Sequence, residues 1–187
     1  MSRFFLVLPI CLALVALLAG TSTIQADDHG RERHEHRERH GKDDGHRRVR
    51  AVAPPPVYAD ACGVCHMAYP AALLPARSWS ALMDSMDDHF GAAPSLDPAD
   101  LDTVAAYLAD NAADRVGGEP AEDVMKRLGG ATPLRITEVP GIVREHHEIS
   151  APTFARQSVG SFSNCNACHP GAESGDFDDD RVRILVD

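Results

Sequence analysis

Aromatic side chains make up only 5% of this 187-residue chain, as one Trp, three Tyr and six Phe. Phe4 and Phe5 sit in an N-terminal apolar stretch, so eight rings remain for everything else. A core drawn from so few large side chains is thin, and small domains bury too little surface to be comfortable without a staple or a cofactor. Strand alternation is equally scarce. Residues 134–139 are the only plausible extended piece, which points away from a sheet protein. Long apolar runs are missing too: beyond residues 4–19, nothing approaches the ~20 residues of a spanning helix. Positive charge is outweighed, with 18 Lys and Arg against 28 Asp and Glu and a formal net charge of −10. Nucleic acid is therefore an unsuitable partner.

What is present begins with export. Arg3 precedes the apolar run, and small and polar residues follow it as far as Ala26. That order of basic start, apolar middle and small residue reads as a secretory signal over residues 1–26 and places the mature protein in the periplasm. Cys11 lies inside the run without the small residues of a lipoprotein box, so it leaves with the signal. Four cysteines remain, and an exported chain would ordinarily pair them as disulfides. Here all four belong to two pentapeptides of the form Cys-x-x-Cys-His: Cys62, Cys65 and His66, then Cys165, Cys168 and His169. The pattern is that of covalent c-type haem attachment. Two thiols at a fixed short spacing add to the two vinyl groups of the porphyrin, and the adjoining histidine lies under the iron. A four-sulfur zinc site is the structural rival, but zinc gives no reason for a histidine after both second cysteines. A thioredoxin-like motif lacks its βαβ surroundings. Two covalent haems would also supply the apolar mass that the chain lacks.

Residues 27–50 are almost wholly charged, with eight basic and seven acidic side chains and His29, His34, His36, His40 and His46 among them. Such a stretch has no face to bury. It reads as a solvated spacer or, through its imidazoles, as a metal-handling tail for zinc, copper or nickel. Pro54, Pro55 and Pro56 end it stiffly. The division expected is a tail and linker at 27–57, an N-terminal haem domain at 58–118 and a C-terminal haem domain at 119–187. After Arg50 there are 21 acidic against nine basic residues, a face suited to a basic docking partner. The body reads as mostly α. Ser78 is the expected cap of a helix through Phe90, with Trp79, Leu82, Met83, Met86 and Phe90 as its stripe. Asp97 or Ser95 with Pro98 opens a second helix, whose buried side is Leu101, Val104, Ala105 and Leu108. A short helix over 120–128 turns Val124, Met125 and Leu128 inward and stops at Gly129.

Histidines outside the tail and the pentapeptides number three: His89, His146 and His147. His89 lies 23 residues after His66, and His146 lies 23 before His169. The chain after His169 is short and acidic, so the second iron must draw its distal ligand from upstream. His89 is thus the candidate for the first iron, and His146 or His147 for the second. Met83, Met86 and Met125 are the rival ligands, and Met/His ligation would give a higher potential than two imidazoles. Neighbouring helical residues point about 100° apart, so only one of His146 and His147 faces an iron.

Residues 62–79 (CGVCHMAYPAALLPARSW), 87–90 (DDHF), 133–138 (PLRITE), 143–149 (VREHHEI) and 164–184 (NCNACHPGAESGDFDDDRVRI) resemble the bacterial dihaem cytochrome c proteins. The resemblance implies a periplasmic electron carrier with no substrate to turn over and two bis-histidine haems. It implies as redox partners a small monohaem, oxygen-binding cytochrome and a membrane cytochrome b. Its N-terminal half is similar to a class I cytochrome c fold, with a small helix-and-loop C-terminal haem domain beside it and His89 in the place usually held by methionine. The family pattern of Arg-Glu-His before a variable position selects His146 over His147. A dihaem peroxidase with one open iron is the main competing class.

Overall fold

The computed structural model describes residues 52–185. The expected signal, the five tail histidines and residues 186 and 187 lie outside the described residues. Among the described residues there are six α-helices, joined by loops and 3-10 turns, and no strand.

Proline and glycine set the helix ends. Helix α1, Pro56–Cys62, opens with proline at its first position, where the missing N–H costs nothing. It stops at Gly63 inside the first pentapeptide. A Cβ there would meet the Ala59 carbonyl oxygen at 2.4 Å, so only glycine fits. Helix α2, Ala76–Asp84, follows Pro75, which has no side-chain acceptor. Asp114, from beyond the next helix, supplies one and accepts from the Ala76 N–H at 2.7 Å. Helix α3, Pro98–Asp110, has Asp97 and Pro98 at its start as expected. Helices α4 (Ala121–Lys126), α5 (Pro140–Glu145) and α6 (Ala151–Phe154) are short. Gly141 lets α5 press on α4, because a Cβ would stand 2.4 Å from the Asp123 carbonyl oxygen.

Two expectations give way. Ser78 does not cap α2: Pro75 starts the helix earlier, and Ser78 is fully buried with its hydroxyl unpartnered. The helix also ends at Asp84 rather than Phe90, since the Ser85 hydroxyl turns back to the carbonyls of Ala81 and Leu82. Residues 134–139 are not a strand either. Among the described residues no partner strand exists to pair with them, and Ile136–Glu138 forms a 3-10 turn that meets its own backbone needs locally.

One hydrophobic core joins residues from both sides of Gly118. Tyr58, Leu74, Trp79, Leu82, Val104 and Leu108 pack with Ala121, Val124, Ile136 and Val139. Trp79 donates its indole N–H to the Ala71 carbonyl at 2.7 Å, so its one polar atom is satisfied in the interior. Past α6 burial and hydrogen bonds act together. Val159 and Ala172 are buried, Phe177 packs on the core, and hydrogen bonds tie the segment as well, including Asn164 to the Val159 carbonyl and the Arg183 N–H to the Cys168 carbonyl.

Candidate haem sites

A continuous cavity of about 1240 Å³ is lined by both pentapeptides together with His89 and His146. Ordinary ligand pockets hold ~300–1,000 Å³. The space therefore suits more than one large group, and the first test of a two-haem fit is passed. None of the four cysteines is in a disulfide. Among the described residues no three His, Cys, Asp or Glu side chains converge on a common point, so the thiols do not form a zinc site. Burial raises the pKa of the Cys62 and Cys165 thiols.

The imidazoles face one another in pairs. His66 and His89 have ring centroids 6.3 Å apart, and His146 and His169 are 6.0 Å apart. A metal about 2 Å from a nitrogen of each ring would hold two facing centroids ~6 Å apart. Both pairs are spaced for one iron between them.

Local structure delivers each ring. His66 donates Nδ1–H to the Met67 carbonyl at 2.7 Å, and His146 does the same to the Ile142 carbonyl at 2.8 Å. That bond fixes the tautomer and leaves Nε2 with its lone pair. His146 is also the C-cap of α5, which aims it into the cavity. His89 sits on a tight turn closed by its own N–H to the Ala92 carbonyl at 2.7 Å, with Phe90 at φ +56° and Gly91 at φ +91°. A phenylalanine in the left-handed region costs about 1–3 kcal/mol, and such strain gathers at functional sites. The Arg135 guanidinium lies 3.8 Å over the Phe90 ring and helps to hold it. In His89 and His169 the Nδ1 atom is buried without a partner, an anomaly that a plain core histidine seldom shows. Burial pushes both below the usual imidazole range, with His66 and Arg135 adding for His89, and His146 for His169. Asp179 and Asp176 pull His169 partly back. The net effect leaves both rings neutral, the form that binds a metal.

The open choices narrow. His147 does not line the cavity; it donates to the Arg144 carbonyl and points its other nitrogen towards exposed Glu148. Met83 and Met86 do line the cavity, whereas Met125 packs on the core instead. Sequence reasoning missed the aromatic shell. Tyr69 stacks on His66 at 4.9 Å, Phe162 lies 5.1 Å from His146, Phe154 packs on Phe162 at 4.6 Å, and Phe177 lies 5.4 Å from His169. Their rarity was the available signal, since three of the last aromatics in the chain surround one histidine pair.

A helical body that turns two Cys-x-x-Cys-His elements onto one cavity defines a c-type cytochrome with two haems. Residues 58–177 match the family model described as dihaem cytochrome c, and the chain belongs to that family. It is similar to a solved structure described as diheme cytochrome c from Rhodobacter sphaeroides, at 46% identity over 68% of this chain and 99% of that one, with a TM-score of 0.59. A diheme cytochrome type c from Shewanella baltica OS155 is 38% identical over 71% of this chain and 94% of that one, with a TM-score of 0.57. None of the curated proteins matches. The protein is a dihaem electron-transfer cytochrome with two c-type haems.

Proposed function

We propose that the protein is a periplasmic electron carrier, not an enzyme, with both irons six-coordinate and bis-histidine. Cys62, Cys65, Cys165 and Cys168 hold the porphyrins, His66 and His169 are the proximal ligands, and His89 and His146 the distal ones. The observation that carries this reading is the pair of facing imidazoles, 6.3 and 6.0 Å apart. Each haem supplies a one-electron couple between ferric and ferrous iron. The chain's own contribution is to fill both axial positions and to surround the histidines with apolar rings. Closed positions favour electron transfer over peroxide or oxygen chemistry.

The excess of acidic side chains after Arg50 supports docking to basic redox proteins, with a membrane cytochrome b as donor and a small soluble monohaem cytochrome as acceptor. Electron exchange with such a partner falls as ionic strength rises; a flat response removes the steering. The signal-like N-terminus supports periplasmic placement, checked by fractionation of the producing cell.

The ligand assignment is tested on holoprotein. The unaltered chain and a His147→Ala variant should be low-spin and unchanged by carbon monoxide. His89→Ala and His146→Ala should each convert one haem to a high-spin, carbon-monoxide-binding form. A His146→Ala variant that stays fully low-spin refutes the second assignment.

A further inference from the structure

Tyr69 touches both haem sites. Its ring lies on the proximal His66, with centroids 4.9 Å apart and planes 28° from parallel. Its hydroxyl donates at 2.7 Å to the Ser163 carbonyl, 94 positions along the chain. Ser163 stands two residues before Cys165, and the Cys165 thiol points to the same oxygen at 3.7 Å. Once that sulfur is a thioether it has no hydrogen to give, which leaves Tyr69 as the donor to this carbonyl.

The other end of Tyr69 is anchored as well. Its backbone carbonyl accepts from the buried Tyr58 hydroxyl at 2.6 Å, and Tyr58 belongs to the core. Backbone, ring and hydroxyl thus attach to three things: the core, the first iron's ligand and the second attachment loop. We infer that Tyr69 is a positioning residue that fixes the second haem-attachment loop against the first haem site. Its stacked ring steadies the plane of the His66 imidazole, and its hydroxyl sets the approach of residues 163–165. The inference rests on haem attachment at both pentapeptides.

Tyr69→Phe and Tyr69→Leu variants of the holoprotein separate these roles. Haem content is measured first; a ratio below two in the unaltered chain fells the underlying reading and this inference with it. With two haems present, Tyr69→Phe keeps the stack and loses the donor. Amide hydrogen exchange at Asn164, Cys168 and His169 should then quicken about fivefold, the worth of one net hydrogen bond. The magnetic interaction between the two ferric irons should shift, while the first site's low-spin resonance stays in place. Tyr69→Leu should displace that resonance too, because the imidazole loses its neighbour. Unchanged exchange and unchanged magnetic interaction in Tyr69→Phe overturn the inference. So does faster exchange spread equally to Val104 and Leu108 in α3, which would mark a general loss of stability.

Discussion

Removing the haems should cost the protein its fold, and the structure sets the scale. The cavity that both pentapeptides face measures about 1240 Å³. Buried voids cost ~24 cal/mol per Å³, so a dry space of this size held open would cost ~30 kcal/mol. Water enters the solvent-facing part and reduces that figure. If only a third counts as dry, the remaining ~10 kcal/mol still matches the ~5–15 kcal/mol by which whole domains are stable. The perturbation is a chain with Cys62, Cys65, Cys165 and Cys168 all changed to alanine, produced in a cytochrome-maturing host. The assay is far-ultraviolet circular dichroism with a thermal melt, and the expected result is little helix and no cooperative transition. The two half-variants should differ. The first site is walled by core residues, among them Tyr58, Leu74, Trp79 and Val104, so Cys62→Ala with Cys65→Ala should be nearly as damaging as the full set. The second is walled largely by Phe154 and Phe162 outside that core, with Phe177 packed at its edge, so Cys165→Ala with Cys168→Ala should keep helices α1–α4. A four-alanine protein that melts cooperatively with a full helical signal refutes the reasoning.

The ring planes of the two histidine pairs are 33° and 69° apart, so ferric protein should give two distinct low-spin resonance signals, the second nearer the perpendicular-ligand type; a single signal for both irons counts against this geometry. Arg135→Gln should lower the potential of the first haem. The Arg135 guanidinium lies 3.8 Å from the Phe90 ring, which is 4.9 Å from the His89 ring. A unit charge at the outer limit of ~9 Å therefore contributes ~1.8 kcal/mol at an effective dielectric of about 20, which is ~80 mV for one electron. Arg135 is half exposed and lies 3.8 Å from Glu138, so a net fall of ~30 mV is expected. A spectroelectrochemical titration at low salt checks it, and a rise in potential would be the wrong sign. Trp79→Phe leaves the Ala71 carbonyl with only its longer 3.4 Å bond from the Leu74 N–H and should cost about 1–1.5 kcal/mol in denaturant unfolding of the holoprotein; a loss below ~0.5 kcal/mol would mean that the bond carries nothing.

The attachment residues were legible because their chemistry demands a local spacing, and five adjacent positions carry it without help from the fold. Helix α3 was legible for a similar reason, since Asp97, Pro98 and a regular apolar side state their own start and face. Helix α2 was harder. Its stripe ran on to Phe90 in the pattern, but the break at Ser85 depends on a hydroxyl folding back on the preceding turn, which periodicity does not encode. Ser78 misled in the same way, as a favoured cap residue sits next to a proline that starts the helix first. The stretch at 134–139 looked extended for want of information about partners, and strands are made by partners. Contacts across the chain were invisible: nothing in residues 62–79 announces that Tyr69 reaches Ser163, or that Arg135 covers Phe90.

The unequal walls of the two sites bear on how such a protein can change over generations. Around the first porphyrin, a substitution that retunes the iron also alters the packing that keeps α1, α2 and α3 together. Around the second, Phe154 and Phe162 take no part in that packing and only Phe177 touches its edge. The second site is accordingly free to drift in potential and in choice of partner while the first stays bound to the survival of the fold.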